Sequence, residues 1–257
     1  MNSLKLLKLR LTLTFTGKAQ LPTFIGNTIR GALGRSLCDN FPAAYDAVFK
    51  VTGGESVPNP FVISAPYPGK GNYDMGENID FGVTLFGSAC AHEDDIIGAA
   101  KLMCNGKLSR ATLTKAERVY YREWSDIGAE SIVPGNVLTL KFISPTEILS
   151  GKEPIYTPDF SMFIDSLLGR ISAITDNYGE SEFVIPYSFI ARKPFVRAEY
   201  DLEKVVFNTN KQPISGFVGT IRYFGDITRY LPYIDLGSQL HIGKKSTRAC
   251  GEYRFEI

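Results

Sequence analysis

The sequence predicts an α+β fold made of two ferredoxin-like (RRM-like) domains in tandem, with a C-terminal glycine-rich loop. The first observation is that a β-α-β-β-α-β order of strand and helix patterns over the first half repeats over the second half. The second is that residues 7–16 (LKLRLTLTFT) alternate strictly between apolar and polar, which indicates a half-buried strand. We expect the domains to span residues 1–130 and 131–257.

Residues 23–37 (TFIGNTIRGALGRSL) predict a helix, because aliphatic residues recur there at every fourth position. A second row of the same helix places Arg30 between Gly26 and Gly34. Each glycine lowers helix propensity by about 1 kcal/mol relative to alanine. Such a row indicates either tight helix–sheet packing or a gap that admits another backbone or a ligand, into which Arg30 could reach.

The rest of the first half completes the unit. Residues 40–80, rich in Pro, Gly, Asn and Asp, predict an irregular hairpin region. Residues 81–89 predict a strand, and residues 92–106 predict a helix that begins with three acidic residues and ends at a glycine. A further strand is expected within residues 109–124.

The second half repeats this order after a linker at residues 128–136. Its predicted elements are a strand at 137–148, a helix at 160–179, a hairpin formed by 194–210 and 211–226, a helix within 227–243 broken or delayed by Pro232, and a strand at 249–257.

The positive charge lies at the two ends of the chain. The net charge is only +1, yet residues 1–50 carry +5 and residues 190–257 carry +4, while residues 51–189 carry −8. If the fold joins the two ends, they form a basic surface suited to a polyanion; otherwise these are scattered solvated charges.

The four cysteines form no C-x-x-C pair and there are only two histidines, so we expect free thiols, no metal site and no cofactor. Lys5, Lys8 and Arg10 interrupt the N-terminal apolar run, which argues against a signal peptide. No apolar run reaches membrane-spanning length. We therefore expect a cytoplasmic protein without a membrane partner.

The segment HIGKKSTRACGEYRFEI (241–257) contains a basic loop bracketed by glycines. Its members with phosphate-binding chemistry are Gly243, Lys244, Lys245, Ser246, Thr247, Arg248 and Gly251. Backbone N–H groups, cations and hydroxyls in such a turn can hold a phosphate, although an exposed solvated turn would look the same. His241, at the entrance of the loop, could act as a general base or cap the preceding helix.

Aromatic residues alternate with arginines on the predicted strands of the second half. Tyr223 and Phe224 lie next to Arg222, and Tyr253 lies next to Arg254. Ferredoxin-like RNA binders stack bases on such side chains, and protein cores use the same alternation.

Three stretches together resemble one branch of the CRISPR repeat-processing endoribonucleases of the RAMP superfamily. These are LPTFIGNTIRGALGRSL (21–37), VLTLKFISPTEI (137–148) and the C-terminal segment from Gly216 to Ile257. The resemblance implies tandem ferredoxin-like domains. It also implies metal-independent cleavage of CRISPR repeat RNA in the precursor transcript, with the 2′-hydroxyl attacking to leave a 2′,3′-cyclic phosphate and a 5′-hydroxyl.

On this resemblance, the predicted catalytic residues are His241, Lys244, Arg30 and Tyr45. The predicted RNA-binding residues are Gly243, Lys245, Ser246, Thr247, Arg248, Gly251, Arg35 and Arg222. Precursor and mature guide RNA are the expected partners, with CRISPR effector subunits and a second copy of the chain left open.

The sequence departs from the family pattern in two respects. Only Gly243 and Gly251 remain in the loop, where the family often has four or more glycines. Many members also place a catalytic histidine shortly after the first helix, and residues 38–60 contain none. A non-catalytic RAMP subunit that binds CRISPR RNA within an effector complex is therefore the alternative, with a tandem ferredoxin-like module unrelated to CRISPR as a third.

Overall fold

The computed structural model describes residues 3–50, 57–104, 106–125, 136–180, 196–208 and 213–257. The strands are β1 (Ser3–Phe15), β2 (Ala19–Gln20), β3 (Phe61–Ser64), β4 (Asn72–Tyr73), β5 (Asn78–Phe86), β6 (Ala111–Ser125), β7 (Val137–Thr146), β8 (Ile148–Ser150), β9 (Glu153–Ile155), β10 (Arg197–Phe207), β11 (Ile214–Phe224) and β12 (Tyr253–Glu256). The helices are α1 (Gly26–Asn40), α2 (Pro42–Val48), α3 (Glu93–Leu102), α4 (Phe160–Tyr178) and α5 (Leu231–Leu240).

The strands form two four-stranded antiparallel sheets with the same topology. The first has the order β3-β5-β1-β6 and the second the order β10-β11-β7-β12. In each unit, the third strand lies between the second and the first, and the fourth pairs with the first, as in a ferredoxin-like unit. The predicted tandem architecture is confirmed. The domain boundary, predicted at residues 130 and 131, lies outside the described residues and stays a prediction.

The first strand follows its sequence pattern. Its alternating apolar residues, Leu7 to Phe15, are at most 2% exposed and form the core of the first unit. The intervening positions, which include Lys8 and Arg10, lie on the opposite face of the sheet. The strand begins at Ser3, earlier than predicted, because Leu4 and Leu6 pair with β6 and pack in the core of the second unit.

Helix α1 packs through the glycines that its sequence pattern singled out. A Cβ at Gly26 would collide with the backbone carbonyl of Arg248, and one at Gly34 would collide with the ring of Phe49. The glycine row therefore admits another backbone at one end and an aromatic ring at the other.

Other boundaries differ from the predictions. The region expected to be an irregular hairpin contains helix α2, which begins with Pro42 in its first turn, where proline is favoured. The strand predicted at residues 81–89 ends at Phe86, and a 3-10 turn follows it. Two predictions about helix ends are confirmed. Pro232 lies in the first turn of α5, in agreement with the predicted late start of that helix. Gly179 is the C-terminal cap of α4.

The two units share core residues. Leu4, Leu6 and Trp124 of the first unit pack in the same cluster as Phe142 and Leu167 of the second. Ala249, in the loop that follows α5, packs in the core cluster of the first unit together with Ile29 of α1. No helix among the described residues is both long and apolar enough to cross a membrane.

Candidate functional site

The C-terminal loop, residues 241–251, joins α5 to β12 and is tied to the end of β7. The N–H of Lys244 donates to the carbonyl of Glu147 at 3.1 Å. Gly243 and Gly251 have left-handed φ angles of 75° and 78°, and a Cβ on either would collide with a neighbouring carbonyl oxygen. Both glycines are therefore required by the path of the loop itself.

The loop packs directly against helix α1. Arg248 lies over the helix at Gly26, where only a glycine leaves room. Nε of Arg30 donates to the hydroxyl of Thr247 at 3.2 Å, and its guanidinium lies 5.4 Å from the centre of the Phe49 ring. A side chain from the first unit and the loop of the second thus meet in one place.

Positive charge is concentrated where α1 meets the loop. Burial lowers the pKa of Arg30, and the charge of nearby Arg248 lowers it further, whereas Tyr45 acts in the opposite direction. Two cations held together without a counter-ion favour an anion between them. Of the predicted catalytic residues, the structure brings Arg30 and Tyr45 together.

A cleft of about 570 Å³ opens on the α1 side of the loop; we call it the α1-side cleft. Arg30, Lys107 and Arg248 line it, and none of its lining residues among the described parts of the chain is acidic. Phe24 and Phe207 also line it and stack on each other with ring centres 5.5 Å apart. A cationic cleft with aromatic edges suits single-stranded RNA, whose phosphates and bases need these two chemistries.

A second cleft, of about 660 Å³, opens on the other side of the loop against α4; we call it the α4-side cleft. Lys244, Lys245 and Ser246 line it, together with Arg170 of α4. The ammonium of Lys245 forms an ion pair with the carboxylate of Glu147. Lys244 therefore lies in a different cleft from Arg30, and Lys245 has a structural partner.

His241 is buried between the two units, with only 2% of its surface exposed. Its Nδ1 lies 3.1 Å from the carbonyl of Cys250 and therefore carries the proton, which leaves Nε2 to accept from the hydroxyl of Ser64 at 3.3 Å. Burial lowers its pKa to about 3, although the backbone hydrogen bond to Cys250 acts in the opposite direction.

The expectation that His241 stands at the open entrance of the loop is therefore wrong. Its ring faces neither cleft, because both nitrogens are engaged with protein groups. In this structure the imidazole therefore presents neither nitrogen to a substrate hydroxyl. The contact with Ser64 instead links β3 of the first unit to the loop of the second, so we assign no proton transfer to His241.

The two positive ends of the chain also meet between the sheets, in a groove of about 380 Å³. Lys8 and Arg10 of β1 line it opposite Arg254 of β12. Burial raises the pKa of the Glu252 carboxyl in this groove, and Lys8 and Arg254 act in the opposite direction. Asp80 and Glu252 also line the groove, so cations and carboxylates face each other there.

Two predicted RNA-binding arginines lie away from the loop. Arg35 is exposed on α1 and lines neither cleft. Arg222 pairs with Thr139, seven residues along β7 from Thr146, which places it roughly 23 Å from the loop end of that strand. It is exposed on the open face of the second sheet.

The tyrosines considered for base stacking are core residues. Tyr223 and Tyr253 are at most 1% exposed, and their hydroxyls donate to the carbonyls of Pro158 and Ile234. Phe224 is partly buried beneath the guanidinium of Arg197. The alternation of aromatics and arginines therefore places the tyrosines inward and the arginines outward, and it provides no stacking platform there.

Sequence reasoning missed Arg170 and Lys107. Arg170 stands beside the buried residue Ile171, and Lys107 follows the predicted cap of the α3 region, so each looked like an ordinary surface charge. Their place in a cleft depends on packing between elements far apart in the chain, and no local pattern carries that information.

Within the described residues, no group of three or more His, Cys, Asp or Glu could hold a metal ion. All four cysteines are free, as predicted. Cys250 is buried beneath the loop, and burial raises its pKa to about 12.

Two family models together span almost the whole chain. Residues 4–136 match the AF_1859_N N-terminal domain family, and residues 140–253 match the family of the CRISPR-associated endoribonuclease Cas6. No curated protein sequence is similar enough to the chain to count as a match.

Solved structures with the same fold include Thermus thermophilus Cas6 (TTHB231), with a TM-score of 0.67, 14% identity and 98% coverage of both chains. The product complex of Cas6 (TTHA0078) has a TM-score of 0.64 and 20% identity, over 98% of this chain and 100% of the other. A Cas6-RT-Cas1--Cas2 complex matches 98% of this chain and 29% of its own chain, with a TM-score of 0.68 and 12% identity. At these identities, the similarity establishes the shared fold.

Proposed function

Because residues 140–253 match the family of the CRISPR-associated endoribonuclease Cas6, we propose that the chain belongs to this family and cuts CRISPR repeat RNA in the α1-side cleft. The observation that carries the proposal is that Arg30 of the first unit and Arg248 of the second both line this cleft and lie close enough to act on each other. No acidic residue lines this cleft within the described chain.

The proposed reaction is an internal transesterification that needs no metal ion. The 2′-hydroxyl loses its proton and its oxygen bonds to the adjacent phosphorus. The bond from phosphorus to the 5′-oxygen then breaks, and that oxygen leaves with a proton. The products are a 2′,3′-cyclic phosphate and a 5′-hydroxyl, and the whole step needs a cationic site and a proton carrier.

In this scheme, Arg30 and Arg248 stabilise the negative charge that develops on the phosphorane oxygens. Arg30 is already partly desolvated, so its charge acts more strongly than it would in water. Tyr45 is the proposed proton carrier because it acts electrostatically on Arg30, although Tyr45 is not among the residues that line the α1-side cleft. Lys244, predicted to be catalytic, lies in the α4-side cleft and is assigned to binding.

We propose that the groove between the sheets extends the RNA path. Lys8, Arg10 and Arg254 line it, and the guanidinium of Arg122 acts on the same cluster. Arg122 itself does not line the groove and forms an ion pair with Asp235, with Nη2 3.9 Å from the carboxylate. The cations that line the groove suit phosphate oxygens.

The test is cleavage of the cognate repeat RNA in EDTA, beside the same RNA carrying a single 2′-deoxy substitution at the cut site. We expect cleavage of the first RNA only, with a 2′,3′-cyclic phosphate end. Cleavage of the deoxy RNA, or a requirement for a divalent cation, would contradict the proposed chemistry.

The cleft assignment is tested by Arg30→Gln. Loss of one charge-stabilising group at a reacting centre costs about 10²–10³ in rate at saturating RNA. Arg35→Gln is the matched control, because it removes the same charge from the same helix outside both clefts. Equal losses in the two variants would refute the assignment.

One observation favours a second candidate, an RNA-binding subunit without cleavage activity. Neither histidine faces the α1-side cleft: His241 is buried, and His92 contacts Asp95 beside α3. Tight binding of the repeat RNA without cutting in the same assay would support this alternative. We also propose that the chain assembles with other CRISPR proteins, because a chain with the same fold is part of a Cas6-RT-Cas1--Cas2 complex.

A further inference from the structure

Three aromatic rings from the two units meet beside the α1-side cleft; we call Phe24, Tyr67 and Phe207 the ring cluster. The rings of Phe24 and Phe207 stack with their centres 5.5 Å apart and their planes at 25°. The ring of Tyr67 meets that of Phe207 edge-on, with the centres 5.6 Å apart and the planes at 88°. Phe24 and Tyr67 belong to the first unit and Phe207 ends β10 of the second, so the cluster forms only where the two units meet.

Backbone pairing holds the two rings of the first unit in place. The N–H of Gly69, two residues after Tyr67, donates at 2.6 Å to the carbonyl of Thr23, which directly precedes Phe24. This bond continues the pairing of β2 with β4 beyond the ends of those strands. Rings that are held in this way lose little conformational freedom when a ligand binds, so they form a preorganised platform.

Of the two rings that line the α1-side cleft, Phe207 is the outer one. Phe24 is only 6% exposed, whereas Phe207 is partly exposed. Phe24 covers one face of the Phe207 ring, so a ligand in the cleft meets the other face. A flat aromatic face of this kind stacks on any nucleobase, because every base has a π-face.

The same cleft supplies polar groups for the rest of a nucleotide. Arg30 and Arg248 line it and provide positive charge for a phosphate. Asn27 also lines it and lies three residues before Arg30, on the same side of α1. The side-chain amide of Asn27 offers both a donor and an acceptor to the edge of a base. Rings, an amide and cations together match one nucleotide of a single strand.

We propose that the ring cluster stacks the base of a nucleotide adjoining the cut phosphate and thereby determines where the RNA is cut. The base stacks on Phe207 while Arg30 and Arg248 hold the phosphate. The inference rests on the proposed function, because it takes the RNA that is cut as the ligand. It differs from phosphate binding in that the group recognised is the base.

The position of Tyr67 supports a strand that passes over the rings. Tyr67 lines the groove between the sheets, and Phe207, in contact with it, lines the α1-side cleft. The ring cluster therefore separates the groove from the cleft. A single strand that occupies both must cross the rings, which are the apolar surface between two sets of cations.

The experiment removes one base at a time while every phosphate stays. Repeat RNAs carry a single abasic ribonucleotide, which keeps its 2′-hydroxyl, at each position around the cut. The kcat/KM of cleavage and the position of the cut are measured for wild type, Phe207→Leu and Phe207→Tyr, which keeps the ring. Tyr121→Leu is the matched control, because Tyr121 is 51% exposed and lines neither the clefts nor the groove.

We expect the abasic change at one nucleotide adjoining the cut to lower kcat/KM about tenfold for wild type, Phe207→Tyr and Tyr121→Leu. Phe207→Leu should cleave the unmodified RNA about tenfold more slowly and at more than one position. The same abasic change should then slow it less than threefold further, because the stack is already lost. Comparing the two RNAs within each variant cancels any general loss of activity.

The inference is overturned if Phe207→Leu stays as sensitive as wild type to every abasic change, or if Tyr121→Leu loses its sensitivity as well. It is also overturned if wild type cuts the unmodified RNA normally and no abasic change beside the cut slows it. Failure of wild type to cut the unmodified repeat RNA would instead contradict the proposed function itself.

Discussion

Acidification from pH 7 to pH 5 should destabilise the protein by about 2 kcal/mol through His241 alone. The imidazole is neutral in the fold, where burial lowers its pKa from 6.5 to about 3. In the unfolded chain it binds a proton as the pH falls below about 6.5. The stability it contributes is therefore complete above pH 6.5 and is lost as the pH falls toward 3.

The magnitude follows from the gap between the two pKa values. Each pH unit between them costs about 1.4 kcal/mol, so the 1.5 units from 6.5 to 5 cost about 2 kcal/mol. Lys8 and Arg170 add to the lowering with their positive charges. The neighbouring carboxyl of Glu252 has a raised pKa and acts in the opposite direction, but it is present in every protein compared and cancels in the difference.

The assay is urea unfolding at pH 7 and pH 5, followed by the fluorescence of Trp124, the only tryptophan, which is buried in the shared core. His241→Gln keeps a polar side chain that does not titrate. We expect wild type to lose about 2 kcal/mol more than His241→Gln between the two pH values. His92→Gln, which removes the other histidine, should lose as much as wild type. Equal losses in wild type and His241→Gln would refute the reasoning.

Three further predictions test the packing around the loop. Gly26→Ala should lower the free energy of unfolding by about 1–3 kcal/mol in the same urea assay, because the added Cβ meets a backbone carbonyl of the loop. The control Gly31→Ala, whose Cβ meets open space, should raise the free energy of unfolding by about 0.5–1 kcal/mol. Tyr253→Phe should lower the free energy of unfolding by about 1 kcal/mol, because it removes one buried hydrogen bond. RNA affinity in a filter-binding assay should stay unchanged, and a large loss of affinity would indicate that Tyr253 does stack on a base. Cys250, with its raised pKa, should react with a thiol reagent at pH 8 far more slowly than the exposed Cys38, as measured by mass spectrometry, and similar rates would contradict its burial.

The sequence predicted elements whose periodicity is strong and local. The alternation from Leu7 to Phe15 defined both the strand and its buried face, because successive side chains of a strand point to opposite sides. The stripe on α4 and the cap at Gly179 followed from the same kind of pattern. Helix α2 was missed because its seven residues lie in a stretch rich in Pro, Gly and Asn, whose composition resembles that of a loop.

The candidate site could be predicted only in part. Gly243 and Gly251 stood out because they bracket a basic turn, and the structure gives both a left-handed φ, which favours glycine. Arg30 stood out because two glycines flank it on one helical row. Arg170 carried no such signal, since a lone arginine beside a buried stripe is usually a solvated surface charge.

The sequence by itself determined the repeated β-α-β-β-α-β order, the concentration of positive charge at both chain ends and the shape of the loop. These depend on backbone preference and on side-chain periodicity within a few residues. Only the tertiary structure decided which charges face a ligand. His241 is buried between the two units, Arg222 lies on a sheet face far from the loop, and Arg170 donates to the loop residue Ser246. These positions depend on which surfaces of the two units pack together, and local sequence patterns do not encode that packing.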